Sequence, residues 1–187
     1  MTKNITINYD AFSEGQVASK IWLCEQLESI SITPAPKIWI LGGWYGIQAF
    51  LLLSRGKMKI NHIRSFDVDP LCEFIADRIN AMWVVDEWKF KAVTQDANKL
   101  VYEKDVDVVI NTSTEHFESN EWFDNIPEGT LVCLQGNNMN HDGHTSDVAS
   151  LAEFIAKYPL QRTVIDGEMG FEYPDWNFAR YMLIGFK

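Results

Sequence analysis

Apolar positions along the chain switch repeatedly between a helical period and short continuous runs. Val17, Ile21, Cys24 and Leu27 recur at three and four, and Ser13 followed by Gln16 has the spacing of a capping box, so a helix is predicted to start there. Residues 31–37 carry Pro34 and Pro36 and no helical period, which makes them a linker. Lys37–Leu41 (KIWIL) is a short apolar run of the kind buried on both faces of a sheet. Gly42, Gly43 and Gly46 then form a turn, followed by an apolar helix over 47–54 that Gly56 stops.

The alternation continues. Residues 62–68 read as a strand, and Asp69-Pro70 supplies an N-cap and a first helical position for a helix with the stripe Leu71, Phe74, Ile75 and Ile79. Further strands are predicted at 89–94, 106–111 and 130–134. Thr145 or Ser146 would cap a helix with the stripe Val148, Leu151, Phe154, Ile155 and Tyr158, ended by Pro159. Two last strands, 162–171 and 179–186, flank a turn at Pro174-Asp175 too short for a helical crossover, so they must be antiparallel. Strand and helix alternating in this way predict an α/β fold, a Rossmann-like doubly wound sheet that is mostly parallel. Ligands in such sheets sit outside the carboxyl ends of the strands. That rule singles out 42–46, 67–69, 96–97 and 111–116.

Composition narrows the partners. The 187 residues carry 16 Lys and Arg against 26 Asp and Glu, a net charge of −10. No cationic run stands out, so nucleic-acid binding by general phosphate attraction is not expected. No segment has the roughly 18 consecutive apolar residues of a membrane-spanning helix, and residues 1–10 lack a signal-peptide pattern. Cys24, Cys72 and Cys133 are far apart with no CxxC spacing and read as buried free thiols, which fits a cytoplasmic protein. Of the aromatic residues, Trp22, Trp39 and Trp83 lie in periodic or apolar runs and are expected in the core. Trp122 and Trp176 lie in acidic loops and are candidates for lining a pocket.

Three strand ends carry suitable chemistry. The turn Gly42-Gly43-Trp44-Tyr45-Gly46 allows close approach of backbone N–H groups to a ligand, although it is not the full G-x-G-x-x-G dinucleotide fingerprint. Asp67, about 20 residues further on, is placed to accept hydrogen bonds from ribose hydroxyls, with Asp69 left to cap the next helix. Asp96, followed by the small Ala97, suits an exocyclic amine.

The ordered set ILGGWYG, FDVDP, QDA and VDVVINTSTEH resembles the class I S-adenosylmethionine-dependent methyltransferases over residues 37–187. That resemblance implies a seven-stranded sheet with an antiparallel C-terminal strand, one domain over 1–187 in which 1–36 form an N-terminal helix and linker, and S-adenosylmethionine as cofactor. It maps Gly42, Gly43 and Gly46, with Trp44 and Tyr45 between them, to the methionine part of the cofactor. Asp67, with Val68, falls at the ribose, Asp96 and Ala97 at the adenine, and Asn111 and Thr112 at the end of the fourth strand. Ile40 stands where the family usually has an acid, and Trp44 replaces its central glycine. Trp44 or Tyr45 would instead offer an aromatic face to the cationic sulfonium. The NTSTEHF segment and the FSEGQVASKIWLCEQLE helix are also similar to small methyltransferase-like proteins carried by bacterial viruses.

Methyl transfer from a sulfonium is an in-line displacement in which positioning dominates, and a base is needed only if the acceptor must lose a proton. Glu115 and His116 follow the fourth strand and are the candidate catalytic pair. After the fifth strand, Gln135, Asn137, Asn138, His141 and His144 are candidates for holding a polar acceptor. These histidines with Glu115 and His116 have donors that suit zinc or iron, but H-D-G-H matches no strong metal pattern, and no metal is expected. The acceptor expected is a small molecule or a protein. Two other readings stay open: a degenerate methyltransferase fold that serves as a binding or interaction protein, motivated by Ile40 and Trp44, and a nicotinamide-dependent oxidoreductase.

Overall fold

A computed structural model describes residues 6–102, 106–139, 144–145 and 148–187. Its elements in chain order are α1 (Glu14–Glu28), β1 (Lys37–Leu41), α2 (Ile47–Arg55), β2 (His62–Asp67), α3 (Pro70–Ile79), α4 (Ala81–Val85), β3 (Phe90–Thr94), β4 (Val108–Asn111), α5 (Glu121–Asp124), β5 (Leu131–Asn137), α6 (Leu151–Lys157), β6 (Arg162–Tyr173) and β7 (Trp176–Phe186). Short 3-10 turns lie at Tyr9–Phe12, Ala97–Lys99 and Thr114–His116.

All seven strands join one sheet in the order β3-β2-β1-β4-β5-β7-β6. The pairs among β1 to β5 are parallel, whereas β7 runs antiparallel to both β5 and β6. The direction of winding reverses between β1 and β4, which is where a ligand crevice is expected at the carboxyl ends of such strands. Side chains alternate along each strand and feed two separate cores. Ile38, Ile40, Ala49, Leu52, Ala76 and Ile110 pack with Leu23 and Leu27 on one face. Trp39, Leu41, Val109, Leu134 and Leu183 pack with Trp122, Phe154 and Tyr158 on the other. The apolar strand runs are explained by this two-sided burial.

Several local expectations hold for stated reasons. Asp69 caps α3 by accepting from the Leu71 N–H at 2.8 Å, with Pro70 in the first helical turn. Cys24, Cys72 and Cys133 are free and buried. The terminal strands pair across a tight hairpin and are longer than predicted, because Phe171, Tyr173, Trp176 and Phe178 stack along it and extend the pairing to its tip.

Other expectations are corrected. Helix α1 begins at the predicted place, but the Ser13 side chain makes no capping bond, and Gln16 instead accepts from Lys20 Nζ at 2.5 Å. Helix α6 is capped by Ser150, whose hydroxyl accepts from the Glu153 N–H, rather than by Thr145 or Ser146; Ser146 lies outside the described residues. Strand β5 runs to Asn137 instead of ending at 134, because β7 continues to pair with it as far as Asn137↔Arg180. Trp122 lines no pocket: it is wholly buried on α5, against Phe117, Phe123 and Tyr158. Among the described residues, no helix is long and apolar enough to cross a membrane.

Candidate functional site

The glycine-rich turn is held from three sides. Gly42 and Gly46 sit at φ +59° and +72°, in the left-handed region that glycine tolerates. Gly43 is glycine for space: a Cβ there would come within 1.9 Å of Ser65 Oγ on β2. Trp44 also has a positive φ, +46°, so the backbone keeps a glycine-like conformation under a bulky side chain. Strain of this kind persists only where the surroundings enforce it. The enforcing group is Asp67, whose Oδ2 accepts from the Trp44 N–H at 2.9 Å while its Oδ1 accepts from Asp69 N–H at 3.1 Å. A carboxylate has about four acceptor positions, so Asp67 retains capacity for a further donor such as a hydroxyl.

The segment before α1 closes over this turn. Asn8 donates its backbone N–H to the Tyr45 hydroxyl at 3.1 Å, and Ala11 packs with Tyr45, Ile47, Cys72 and Ile75. Tyr45 is therefore a core residue, and Trp44, which is half-buried, is the aromatic side chain left at the surface of the turn. Ile40, at the position of the missing acid, is buried in the core beneath.

On the β4 side, the Ser113 hydroxyl donates to the Gly42 carbonyl at 3.2 Å, and Asn111 Oδ1 accepts from the Ser113 N–H at 3.0 Å. Asn111 is wholly buried, yet its Nδ2 has no hydrogen-bond partner among the described residues. An orphaned donor in a dry position is costly. Beside a turn that approaches ligands closely, it fits an acceptor group such as a carboxylate. Thr112, next in the chain, is buried.

At the outer strands, Asp96 Oδ1 caps the Ala97–Lys99 turn by accepting from the Asn98 N–H at 3.0 Å, and its Oδ2 lies 3.3 Å from Lys99 Nζ. Ala97 is buried, whereas Val68 is exposed beside Asp67 as an apolar surface at the rim. The expected adenine and ribose acids thus lie at the carboxyl ends of neighbouring parallel strands, with Asp67 paired to Thr94 in the register of β2 and β3.

Glu115 and His116, the candidate catalytic pair, diverge. They lie on a 3-10 turn seated against β5, where the Thr114 hydroxyl donates to the Gln135 carbonyl at 2.9 Å. Gly136 permits this seating, since a Cβ there would meet both Thr114 and Phe154 at 2.8 Å. Glu115 is turned inward and buried. Its Oε1 accepts a short hydrogen bond from Asn137 Nδ2 and a second from Arg180 at 3.0 Å, while Oε2 is buried without a partner among the described residues. Asn137 and Arg180 are opposite one another in the β5–β7 register, so the sheet presents two donors to one carboxylate. His116 is exposed, its ring centroid 4.9 Å from that of His144.

Of the residues expected to hold an acceptor, Gln135 and Asn137 are strand residues and fully buried. Gln135 Nε2 donates to the Ser19 carbonyl of α1 at 2.8 Å. Asn138 bridges to β7, its Oδ1 accepting from the Ala179 N–H at 2.8 Å. His144 Nδ1 lies 2.8 Å from the Met139 carbonyl. His141 lies outside the described residues.

Sequence reasoning missed two cations that complete this corner, Arg180 and Lys20. Each stands in an otherwise apolar run, ARYMLIGF for Arg180 and KIWLC for Lys20, and a lone charge in such a run signals a buried partner. Burial, reinforced by the Arg180 guanidinium, pulls the Lys20 ammonium down from its ordinary 10.5 to about 7, against the opposing pull of Glu115 and Asp10. A cavity of about 420 Å³ lined by Val106, Asp107, Leu131 and Phe186 opens at the amino-terminal ends of β4 and β5, at the other end of the strands from these groups.

No family model and no curated protein matches the sequence. Solved structures do match in shape. The geranyl diphosphate C-methyltransferase of Streptomyces coelicolor, solved with Mg2+, geranyl diphosphate and S-adenosyl-L-homocysteine, superposes with a TM-score of 0.66 at 9% identity, covering 90% of this chain and 77% of that one. The magnesium protoporphyrin IX methyltransferase of Synechocystis, with bound S-adenosyl-L-homocysteine, gives 0.67 at 11% identity over 97% and 89%. A candidate RNA methyltransferase of Pyrococcus horikoshii gives 0.60 at 14% identity over 92% and 82%. The chain has the fold of these methyltransferases.

Proposed function

We propose that the chain is an S-adenosylmethionine-dependent methyltransferase acting on a small-molecule acceptor. The observation that carries this reading is the junction of Asp67 with the glycine-rich turn: the acid after β2 accepts the Trp44 N–H, which locks turn and carboxylate into one unit at the point where the sheet reverses its winding. The fold likeness supports it, and so do the cofactors present in the similar structures.

The donor set fits the cofactor's chemistry. Asp67 would accept from the ribose hydroxyls, with Val68 against the ring system, and Asp96 would accept from the adenine amine beside Ala97. Asn111 Nδ2 would donate to the methionine carboxylate next to Gly42, Gly43 and Gly46. Trp44 is the aromatic group at the turn that would meet the positive sulfonium side of the cofactor. When bound, the cofactor supplies an electrophilic methyl group on sulfur. The chain's own part is to position: the turn fixes the donor side, and His116, Asn138 and His144 would rim the acceptor side, backed by the buried Glu115, Gln135 and Asn137. His116, exposed on that rim, would take a proton from an acceptor that must lose one. Glu115, buried and ion-paired, orients that turn.

The net charge of −10 supports a small acceptor over a polyanion. A non-catalytic binding role is favoured by Ile40 and Trp44, but the φ of +46° at Trp44 keeps the backbone path that the glycine would take.

Thermal melting with S-adenosylmethionine, S-adenosylhomocysteine and NAD separates the readings. Stabilisation by the two sulfur compounds and none by NAD is expected, about 2.7 kcal/mol at 100 times the dissociation constant. Absence of a shift with both would overturn the proposal, and binding without turnover across an acceptor screen would favour the non-catalytic reading.

A further inference from the structure

We propose that Glu115, His116 and His144 form a site for one divalent first-row transition-metal ion, with Zn2+ as the reference ion. One ligand atom from each of the three lies within 4.8 Å of the others. Two imidazoles and one carboxylate are a donor set that suits zinc and iron, and three protein ligands leave at least one coordination position for a donor from outside the chain.

Three features beyond proximity point to an ion. The Glu115 carboxylate divides its work: Oε1 takes both donors, Asn137 and Arg180, while Oε2 is buried with no hydrogen-bond partner among the described residues. That is the arrangement of a ligating carboxylate whose second oxygen is held by an outer shell of donors. His144 places Nδ1 at 2.8 Å from the Met139 carbonyl, and because a carbonyl can only accept, this contact selects the neutral tautomer with the proton on Nδ1 and the lone pair on Nε2. Ligating histidines commonly donate their other ring N–H to such a carbonyl. The rings of His116 and His144 also meet edge to face, 83° apart, which brings two imidazoles to one carboxylate from different directions.

The donors must draw together. Bonds of about 2.0–2.2 Å in a tetrahedral site put ligand atoms roughly 3.3 Å apart. Glu115 is held in place by Asn137 and Arg180, so the approach falls to His116 and His144, the two less buried members, with His144 keeping its contact to the Met139 carbonyl. The charge balance also selects the class of ion. Arg180 already neutralises Glu115 in the protein interior. Mg2+ and Ca2+ depend on oxygen ligands and carboxylate charge and gain little here, whereas neutral imidazole nitrogens are donors that first-row transition-metal ions take.

The site lies where the ends of β4 and β5 meet, on the acceptor side. An oxygen or nitrogen of the acceptor would take the open position, and with His116 on the ion it is the ion, not that imidazole, that would ease loss of the acceptor's proton; that role rests on the methyl-transfer reading, but metal binding does not.

The test uses the full chain, freed of metal by chelation and buffer exchange. Titration calorimetry with ZnCl2 should show one equivalent bound, with a raised melting temperature, and MgCl2 should give neither. Co2+ should give the visible absorption of an ion held by imidazole nitrogen. His116→Ala and His144→Ala should each weaken Zn2+ binding roughly tenfold or more, with unchanged circular dichroism and an unchanged melting shift on adding S-adenosylmethionine. Failure to bind Zn2+ at micromolar concentration overturns the proposal, and so does stoichiometric binding that survives the double replacement. A chain that binds Zn2+ but not S-adenosylmethionine keeps the metal site and loses the methyl-transfer reading, and the reverse result does the opposite.

Discussion

Glu115 and Arg180 form an ion pair of 3.0 Å in which both side chains are 4% exposed, although 65 residues separate them along the chain. The pair ties the turn after β4 to β7 through the sheet, and it is the anchor of the acceptor corner. Removing one member of a buried pair leaves an uncompensated charge in a dry place, which typically costs about 3–5 kcal/mol. Arg180→Met should therefore lower the unfolding free energy by that order in urea titration. The double variant Arg180→Met/Glu115→Gln should recover most of the loss. A double variant no more stable than Arg180→Met alone would show that the pair is not coupled.

A second prediction concerns Lys20, whose ammonium is pulled down to about 7 by burial and by Arg180. Below pH 7 the group is charged in both folded and unfolded chains, so the folded state carries the whole cost of burying that charge. Between about 7 and 10.5 the unfolded chain still binds the proton and the folded chain does not, so this group makes stability rise with pH across that window. Burial raises the Cys24, Cys72 and Cys133 thiols above their ordinary 9.0, which works in the opposite direction at higher pH. The cleanest measurement is the difference between the native chain and Lys20→Met from pH 7 to 9. Lys20→Met should be the more stable at pH 7, with the gap narrowing as pH rises; a constant gap would refute the lowered ammonium.

Gly43 and Ser65 give a packing test of the turn. A methyl group at position 43 would fall 1.9 Å from Ser65 Oγ but 3.3 Å from its Cβ. Gly43→Ala should destabilise by about 1–3 kcal/mol, as overpacking in a tight core does. Adding Ser65→Ala should relieve most of that loss, which thermal melting of the four chains of the cycle would read out. No relief would place the strain in the backbone.

The two acids of FDVDP should separate by role. Asp67→Asn keeps one acceptor oxygen toward the turn, so stability should fall by only about 1 kcal/mol, while affinity for S-adenosylmethionine should drop tenfold or more. Asp69→Ala removes the cap of α3 and should cost about 1 kcal/mol without changing affinity. Calorimetric titration of both variants checks the assignment, and equal affinities for the two would remove Asp67 from the binding site.

Much of the fold was legible in the sequence because its signals are local. Alternation between apolar runs and helical stripes marked all seven strands. Asp69-Pro70 marked the start of α3 because a cap bonds within two residues of itself. The carboxyl-end rule then placed Asp67, Asp96 and Asn111 on one rim. What failed also had a common cause. β5 was read three residues short because Gln135 and Asn137 look like loop residues until β7 pairs with them. Trp122 reads as a pocket-lining candidate because its neighbours are acidic, yet it fills the space between Phe117 and Tyr158.

The sequence by itself determined the seven strands and the helices α1, α2, α3 and α6, though not the short α4 and α5, and which carboxylates and amides stand at strand ends, since period and capping act over a few residues. Only the tertiary structure decided that Glu115 is buried against Arg180, that Tyr45 is core while Trp44 is at the surface of the turn, and that His116 meets His144. Those relations depend on strand register and sheet order, which bring together groups dozens of residues apart. No local pattern records them, because the hydrogen bonds and packing that hold them form only once the sheet has closed.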